Sequence, residues 1–246
     1  MEKTTLDKLV YDLWGLIKKH ITDDDQLDYR QIAFWIQQFR ELFLVRKLSK
    51  GRILENYIQS FGKIELINVS GNPFGDEAKF RLKRSKVRLP RLVSTNYSLA
   101  LSRVGPLDRT SRKWSIVAPD SIQYIGSGRF TRDMIGAFVY DDYLWIGAKI
   151  DNPFFGALKY CTVDGVVSNP EELANFNDAE GNPLFNKSTT PYPIDLDLFT
   201  AMKDAIISQN FKLVLTAPED EQNTAKDESQ SQIYQPYYKN NQQRRD

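Results

Sequence analysis

Across 246 residues there is one cysteine, Cys161, and one histidine, His20. A lone cysteine excludes an internal disulfide, and so few Cys and His side chains leave no cluster of metal-ligand spacing, so neither a metal nor a cofactor is expected. The chain also lacks an uninterrupted apolar run long enough to span a bilayer. Its opening Met1-Glu2-Lys3-Thr4-Thr5 passes into an amphipathic pattern without the apolar core of a signal peptide, so neither export by a leader nor membrane contact is expected. A surplus of charge is missing too: 33 Lys and Arg face 32 Asp and Glu, so any polyanion contact must be local.

What is present is large apolar side chains: 14 Phe, 12 Tyr and 4 Trp, enough to build one good core with a smaller helical companion. Leu6, Leu9, Val10, Leu13, Ile17 and Ile21 fall on one helical stripe, which predicts a helix over 5–21. Asp28, with Gln31 three positions on and a Leu27/Ile32 staple, caps a second helix over 28–48. Ile32, Trp35, Ile36, Phe39, Leu42 and Phe43 give that helix more apolar surface than one short partner covers, so a neighbour within the chain or beyond it is expected.

From 57 to 167 the pattern turns to strands: Lys63 to Val69 alternates, Gly71-Asn72-Pro73 and Gly75 break it, and short runs follow. The clearest hairpin is Ile135–Tyr140 and Tyr143–Gly147 around a two-residue Asp141-Asp142 turn. A polar connection over about 168–193 leads to Asp195, expected to cap a helix carrying Leu198, Ala201, Met202, Ala205 and Ile206. Beyond Pro218 there is no Leu, Val, Phe or Trp, which reads as a polar tail. The expected fold is α+β: an N-terminal helical pair (1–56) and a connection with a late C-terminal helix (168–217) packed with a mainly antiparallel β domain (57–167), then the tail (218–246).

Weighed for chemistry, each motif favours its structural reading. Gly126-Ser127-Gly128-Arg129 has Thr131 where a dinucleotide fingerprint needs its third glycine, and there is no Walker Gly-Lys-Ser/Thr; it is a glycine turn. Asp141 and Asp142 suit a turn better than a catalytic pair, since neighbouring strand residues point to opposite faces. His20 sits at a helix end, where a cation suits the dipole. No second histidine exists to activate Cys161, which reads as a small hydrophobe in a strand. No catalytic residue is expected.

The strongest charge feature is Lys79, Arg81, Lys83, Arg84, Lys86, Arg88 and Arg91, interleaved with Phe80, Leu82, Val87 and Leu89 across a break at Ser85. It reads as a hairpin arm, either a solvated and edge-protected strand pair or a polyanion contact through Lys83, Arg84, Lys86 and Arg88. In the tail, Ile233, Tyr234, Tyr237 and Tyr238 form an apolar island suited to docking on a partner.

Taken together, the helical pair, Arg103-Val104-Gly105-Pro106-Leu107-Asp108, Tyr124-Ile125-Gly126-Ser127-Gly128-Arg129-Phe130, Val167-Ser168-Asn169-Pro170-Glu171-Glu172, Pro191-Tyr192-Pro193-Ile194 and Pro218-Glu219-Asp220-Glu221-Gln222-Asn223 resemble the ring proteins of crAss-like bacteriophages. These are similar to the tail-tubular or adaptor proteins of short-tailed phages. The resemblance implies a non-enzymatic virion protein of the head-to-tail connector, forming a ring of twelve subunits below the portal and extending the DNA channel. Its implied partners are copies of itself, the portal protein, adjacent ring or tail proteins and the passing DNA, with assembly in the host bacterial cytoplasm. Two other readings compete. A nucleic-acid-binding module would use the basic 79–91 segment, and a cell-wall or glycan hydrolase would need separated carboxylates or a metal site.

Overall fold

The computed structural model describes residues 4–18, 28–50, 55–69, 80–94, 99–129, 131–178 and 180–211. Helix α1 (Leu6–Ile17) starts at Thr5, whose hydroxyl accepts from Lys8 N, and buries Leu6, Leu9, Val10, Leu13 and Ile17. Helix α2 (Tyr29–Ser49) starts at Asp28, whose carboxylate accepts from Arg30 N at 3.2 Å, and buries Ile32, Trp35, Ile36 and Phe39. The two helices pack together, with the Trp14 and Tyr29 rings 5.0 Å apart. His20, Ile21 and Leu27 lie outside the described residues.

Seven strands follow: β1 (Gln59–Asn68), β2 (Phe80–Ser85), β3 (Leu101–Gly105), β4 (Ser115–Ile116), β5 (Gly136–Tyr140), β6 (Tyr143–Lys149) and β7 (Tyr160–Gly165). Their order is β3-β7-β1-β2-β6-β5-β4, antiparallel throughout except for the short β4–β5 pair. Strand β1 changes partner along its length, pairing with β7 over Gln59–Glu65 and with β2 over Leu66–Asn68. Its register shifts between Ser60 and Lys63, where Gly62 has φ 68°; a Cβ there would lie 2.6 Å from the Asn177 carbonyl oxygen. The chain after β3 returns so that Trp114 N donates to Val104 O at 2.7 Å, which sets the residue before β4 against β3 at the other end of the order.

The β5–β6 hairpin turns on Asp141 (φ 51°) and Asp142 (φ 60°), the backbone of a type I′ turn with carboxylates where glycine is the easier choice. One sheet face, with Ile64, Leu144, Ile146 and Val163, packs in the main core with Leu6, Leu13, Ile36 and Met202. Phe138 and Trp145 on the opposite face stack at 6.3 Å and pack with Ile122 of a short 3-10 turn, Pro119–Tyr124. Gly136 and Gly147 admit that isoleucine: a Cβ would come within 2.6 and 2.8 Å of it.

Helix α3 (Leu196–Ala205) runs into a π-helical turn, Ile206–Phe211, both against α2, with Leu198, Met202 and Ile206 buried. Asp195 holds the N-cap position but not the expected role. Its carboxylate accepts from the Tyr57 hydroxyl at 2.5 Å instead of from a helix amide, and Lys47 Nζ reaches the same phenol oxygen at 2.6 Å.

The basic segment is the main correction. Strand β2 is an interior strand between β1 and β6, not one arm of a hairpin at an edge. After Ser85 the chain does not fold back on β2. The Ser85 hydroxyl donates to Val87 O and accepts from Leu144 N, which takes the chain across the end of β6 toward Leu89, whose N–H donates to Asp142 O.

Candidate assembly surfaces and the Arg40 clasp

The most constrained polar group lies on α2. Arg40 follows Phe39 on the buried face of the helix, and its side chain is fully buried. Its Nη1 donates to Val167 O (2.7 Å) and Ser168 O (3.0 Å), its Nε donates to Pro193 O (3.1 Å), and its guanidinium carbon lies 5.6 Å from the Tyr192 ring centroid. Burial lowers its pKa from the ordinary guanidinium range, and pushes the Tyr192 hydroxyl up to about 12. This one side chain ties Val167-Ser168-Asn169-Pro170 and Pro191-Tyr192-Pro193-Ile194 to the helical pair. Sequence reasoning missed it, although its signal was present: Ile36, Arg40 and Leu44 share one helical face, and a cation in an apolar stripe must find oxygen acceptors.

The other quoted motifs are also held by their own polar groups. Asn169 Oδ1 accepts from Glu171 N at the start of a 3-10 turn, Pro170–Asn175. The Asp108 carboxylate collects Thr110 N, Thr110 Oγ1 and Ser111 Oγ, Arg103 Nη2 donates to the carbonyls of Arg109 and Ser111, and Arg109 pairs with Asp164 at 2.8 Å. In the glycine turn, Gly128 N donates to Thr131 Oγ1, so that amide is not open to an anion. The residues from Pro218 onward lie outside the described residues.

The four candidate polyanion residues are not one cationic face. Lys83 is buried and donates to Gly156 O (3.0 Å) and Leu158 O (2.5 Å), with burial lowering its pKa, so it is withdrawn from the candidate contact. Lys86 pairs with Glu65 at 2.8 Å. Arg84 and Arg88 share Tyr143, 4.2 and 5.5 Å from its ring centroid, and the Tyr143 hydroxyl and the Asp141 and Asp142 carboxylates hold the Arg88 pKa above its usual value. Ile233, Tyr234, Tyr237 and Tyr238 lie outside the described residues.

Cys161 is buried, and burial alone pushes its thiol up to about 12, as suits a small core residue. Asp141 and Asp142 form the hairpin turn described above. Among the described residues no three His, Cys, Asp or Glu side chains group as metal ligands, and no helix is long and apolar enough to cross a membrane.

These contacts define a class: an α+β fold whose polar side chains serve to fix its own loops. Comparison with known proteins supplies the family. A family model described as phage tail ring protein 2 matches residues 8–229. The chain is also 24% identical over 237 residues to ring protein 2 of Bacteroides phage crAss001, covering 91% of this chain and 97% of that one. The chain belongs to the phage tail ring protein 2 family, whose members are structural ring proteins of the virion tail, not enzymes.

Proposed function

We propose that this chain is the subunit of a closed ring in the head-to-tail connector, lying below the portal, extending the DNA channel and docking the tail. The family match over 8–229 carries this reading, because it spans nearly the whole chain. Twelve copies, the portal protein, adjacent ring or tail proteins and transiting DNA are the partners the connector role implies, and the host bacterial cytoplasm is the place of assembly. Head-to-tail contacts between identical subunits close a ring when the rotation between neighbours closes. Ile233, Tyr234, Tyr237 and Tyr238 dock on a partner in the assembled state. Of the basic segment, Arg84 and Arg88 remain as a local contact for DNA or an acidic protein face.

Electron microscopy of the purified protein, alone and with the portal protein, tests the proposal. Closed rings that stack coaxially on the portal are expected. A monomer or dimer that binds duplex DNA with steep salt dependence would instead establish the nucleic-acid-binding module.

A further inference from the structure

The solvent face of α2 is unusual for a chain in which 26% of residues are charged. Phe34 and Leu42 stand 52% and 41% exposed, and with Gln31, Gln38 and the half-buried Val45 they form an uncharged strip on the side opposite Ile36 and Phe43. Among the flanking charges, Glu41 is taken by Arg91 at 3.3 Å, exposed Asp28 and Arg30 offset each other at the N-terminal end, and exposed Arg46 and Lys50 leave the C-terminal end positive. A strip of aromatic, aliphatic and glutamine side chains suits a protein segment with apolar anchors and hydroxyls, and it does not suit a phosphate backbone.

We propose that this strip receives Ile233–Tyr238 from an adjacent subunit. The inference rests on the ring reading and names one contact within it. Three observations select the occupant.

The first is reach. The described body ends at Phe211, in the π-helical turn packed on α2, and 21 residues separate it from Ile233, a span of about 75 Å when extended. The whole of α2 is about 31 Å long, so a segment of that reach extends well beyond its own helix, as delivery to a neighbouring copy requires.

The second is spacing. Phe34 and Leu42 are separated by about 12 Å along the helix. Tyr234 and Tyr238 are separated by about 13 Å in an extended chain. Laid antiparallel to α2, Tyr234 meets Leu42, Tyr238 meets Phe34, and the Gln31 and Gln38 amides face the phenol hydroxyls.

The third is charge. In the same orientation the stretch before Ile233 points to the Arg46 and Lys50 end. That stretch, 219–228, holds Glu219, Asp220, Glu221, Asp227 and Glu228 against the single Lys226. An arm on one subunit and its receiving face on the next is a heterologous contact, the kind that closes a ring.

The test uses full-length chains. Gln38→Cys lies mid-strip and Gln235→Cys lies between the anchors, while the native Cys161 is buried and gives little background. The two single variants are mixed, assembled and mildly oxidised. A covalent heterodimer is expected at least tenfold above a control pair using Tyr124→Cys, an exposed position elsewhere on the body, and Phe34→Glu/Leu42→Glu should abolish it without changing the circular dichroism spectrum. No link above the control overturns the proposal. So does a link that forms only within one chain when both cysteines are placed together. Images of the same samples separate the two readings: rings without the link sink the docking alone, and the link without rings sinks the ring assignment alone.

Discussion

At Arg40 a positive charge is held out of water by three carbonyl oxygens, and among the described residues no carboxylate is hydrogen-bonded to it. Arg40→Met keeps the bulk and removes the donors, leaving buried carbonyls at 167, 168 and 193 without that partner. It is expected to destabilise the fold by about 2–3 kcal/mol, offset in part by the lost cost of burying the charge. Arg40→Lys should be no milder, because one ammonium cannot reach both segments in the fork geometry. Urea denaturation of both variants decides, and a Met variant as stable as the parent would mean that the clasp adds nothing to stability. Alkaline stability has a defined direction. The folded values of Cys161 and Tyr192, each about 12, lie above their ordinary 9.0 and 10.0, so the unfolded chain loses these protons first. Stability from both groups is therefore full below about pH 9 and falls as pH rises toward 12, and Cys161→Ala should flatten that fall in a pH series of unfolding midpoints.

At the scale of elements, periodicity made the helices legible and turn chemistry made the hairpin legible. Both are local signals. Helices predicted over 5–21 and 28–48 appear as Leu6–Ile17 and Tyr29–Ser49, and the Asp141-Asp142 turn falls between β5 and β6 as expected. The place of β2 was not legible, because its neighbours β1 and β6 are chosen by the sheet as a whole, while lysine and arginine at alternate positions look the same at an edge or in the interior. Lys83 shows the difference: its ammonium serves carbonyls more than 70 positions away, which no window of sequence reveals. Two substitutions probe these elements. Asp142→Gly relieves a left-handed residue and should raise stability by about 0.5–1 kcal/mol, seen as a higher melting temperature. Gly147→Ala would set a methyl group 2.8 Å from Ile122 and should cost about 1–3 kcal/mol; an unchanged melting temperature would mean that the 3-10 turn yields freely.

For the whole molecule, the resemblance read from five short motifs pointed to the ring family, and the site expected from charge did not hold together as one face. Recognition drew on motifs spread along the chain, whereas a cationic face needs side chains to converge, and convergence is set by packing. On the proposed connector role, paired charge reversal, Arg84→Glu with Arg88→Glu, should leave ring formation intact and lower DNA retention by the assembled ring, measured by ejection or by DNA binding at several salt concentrations. Unchanged retention would return both arginines to the role of packing on Tyr143.

The ties between the two ends of the described chain bear on how each subunit is made. Thr4 and Asp7 hydrogen-bond to the backbone of Tyr192 and Lys187, and Arg40 waits for acceptors 127, 128 and 153 positions later. A ribosome must therefore deliver nearly the whole body before the first two helices have their final partners. Until then their apolar faces and the unpaired guanidinium are exposed to solvent. A chain released early, before Pro191, lacks the latch and has no settled α2 to offer to the proposed contact with a neighbour. The fold thus carries its own check on completeness: the contacts that stabilise a finished body are the ones a half-made chain lacks.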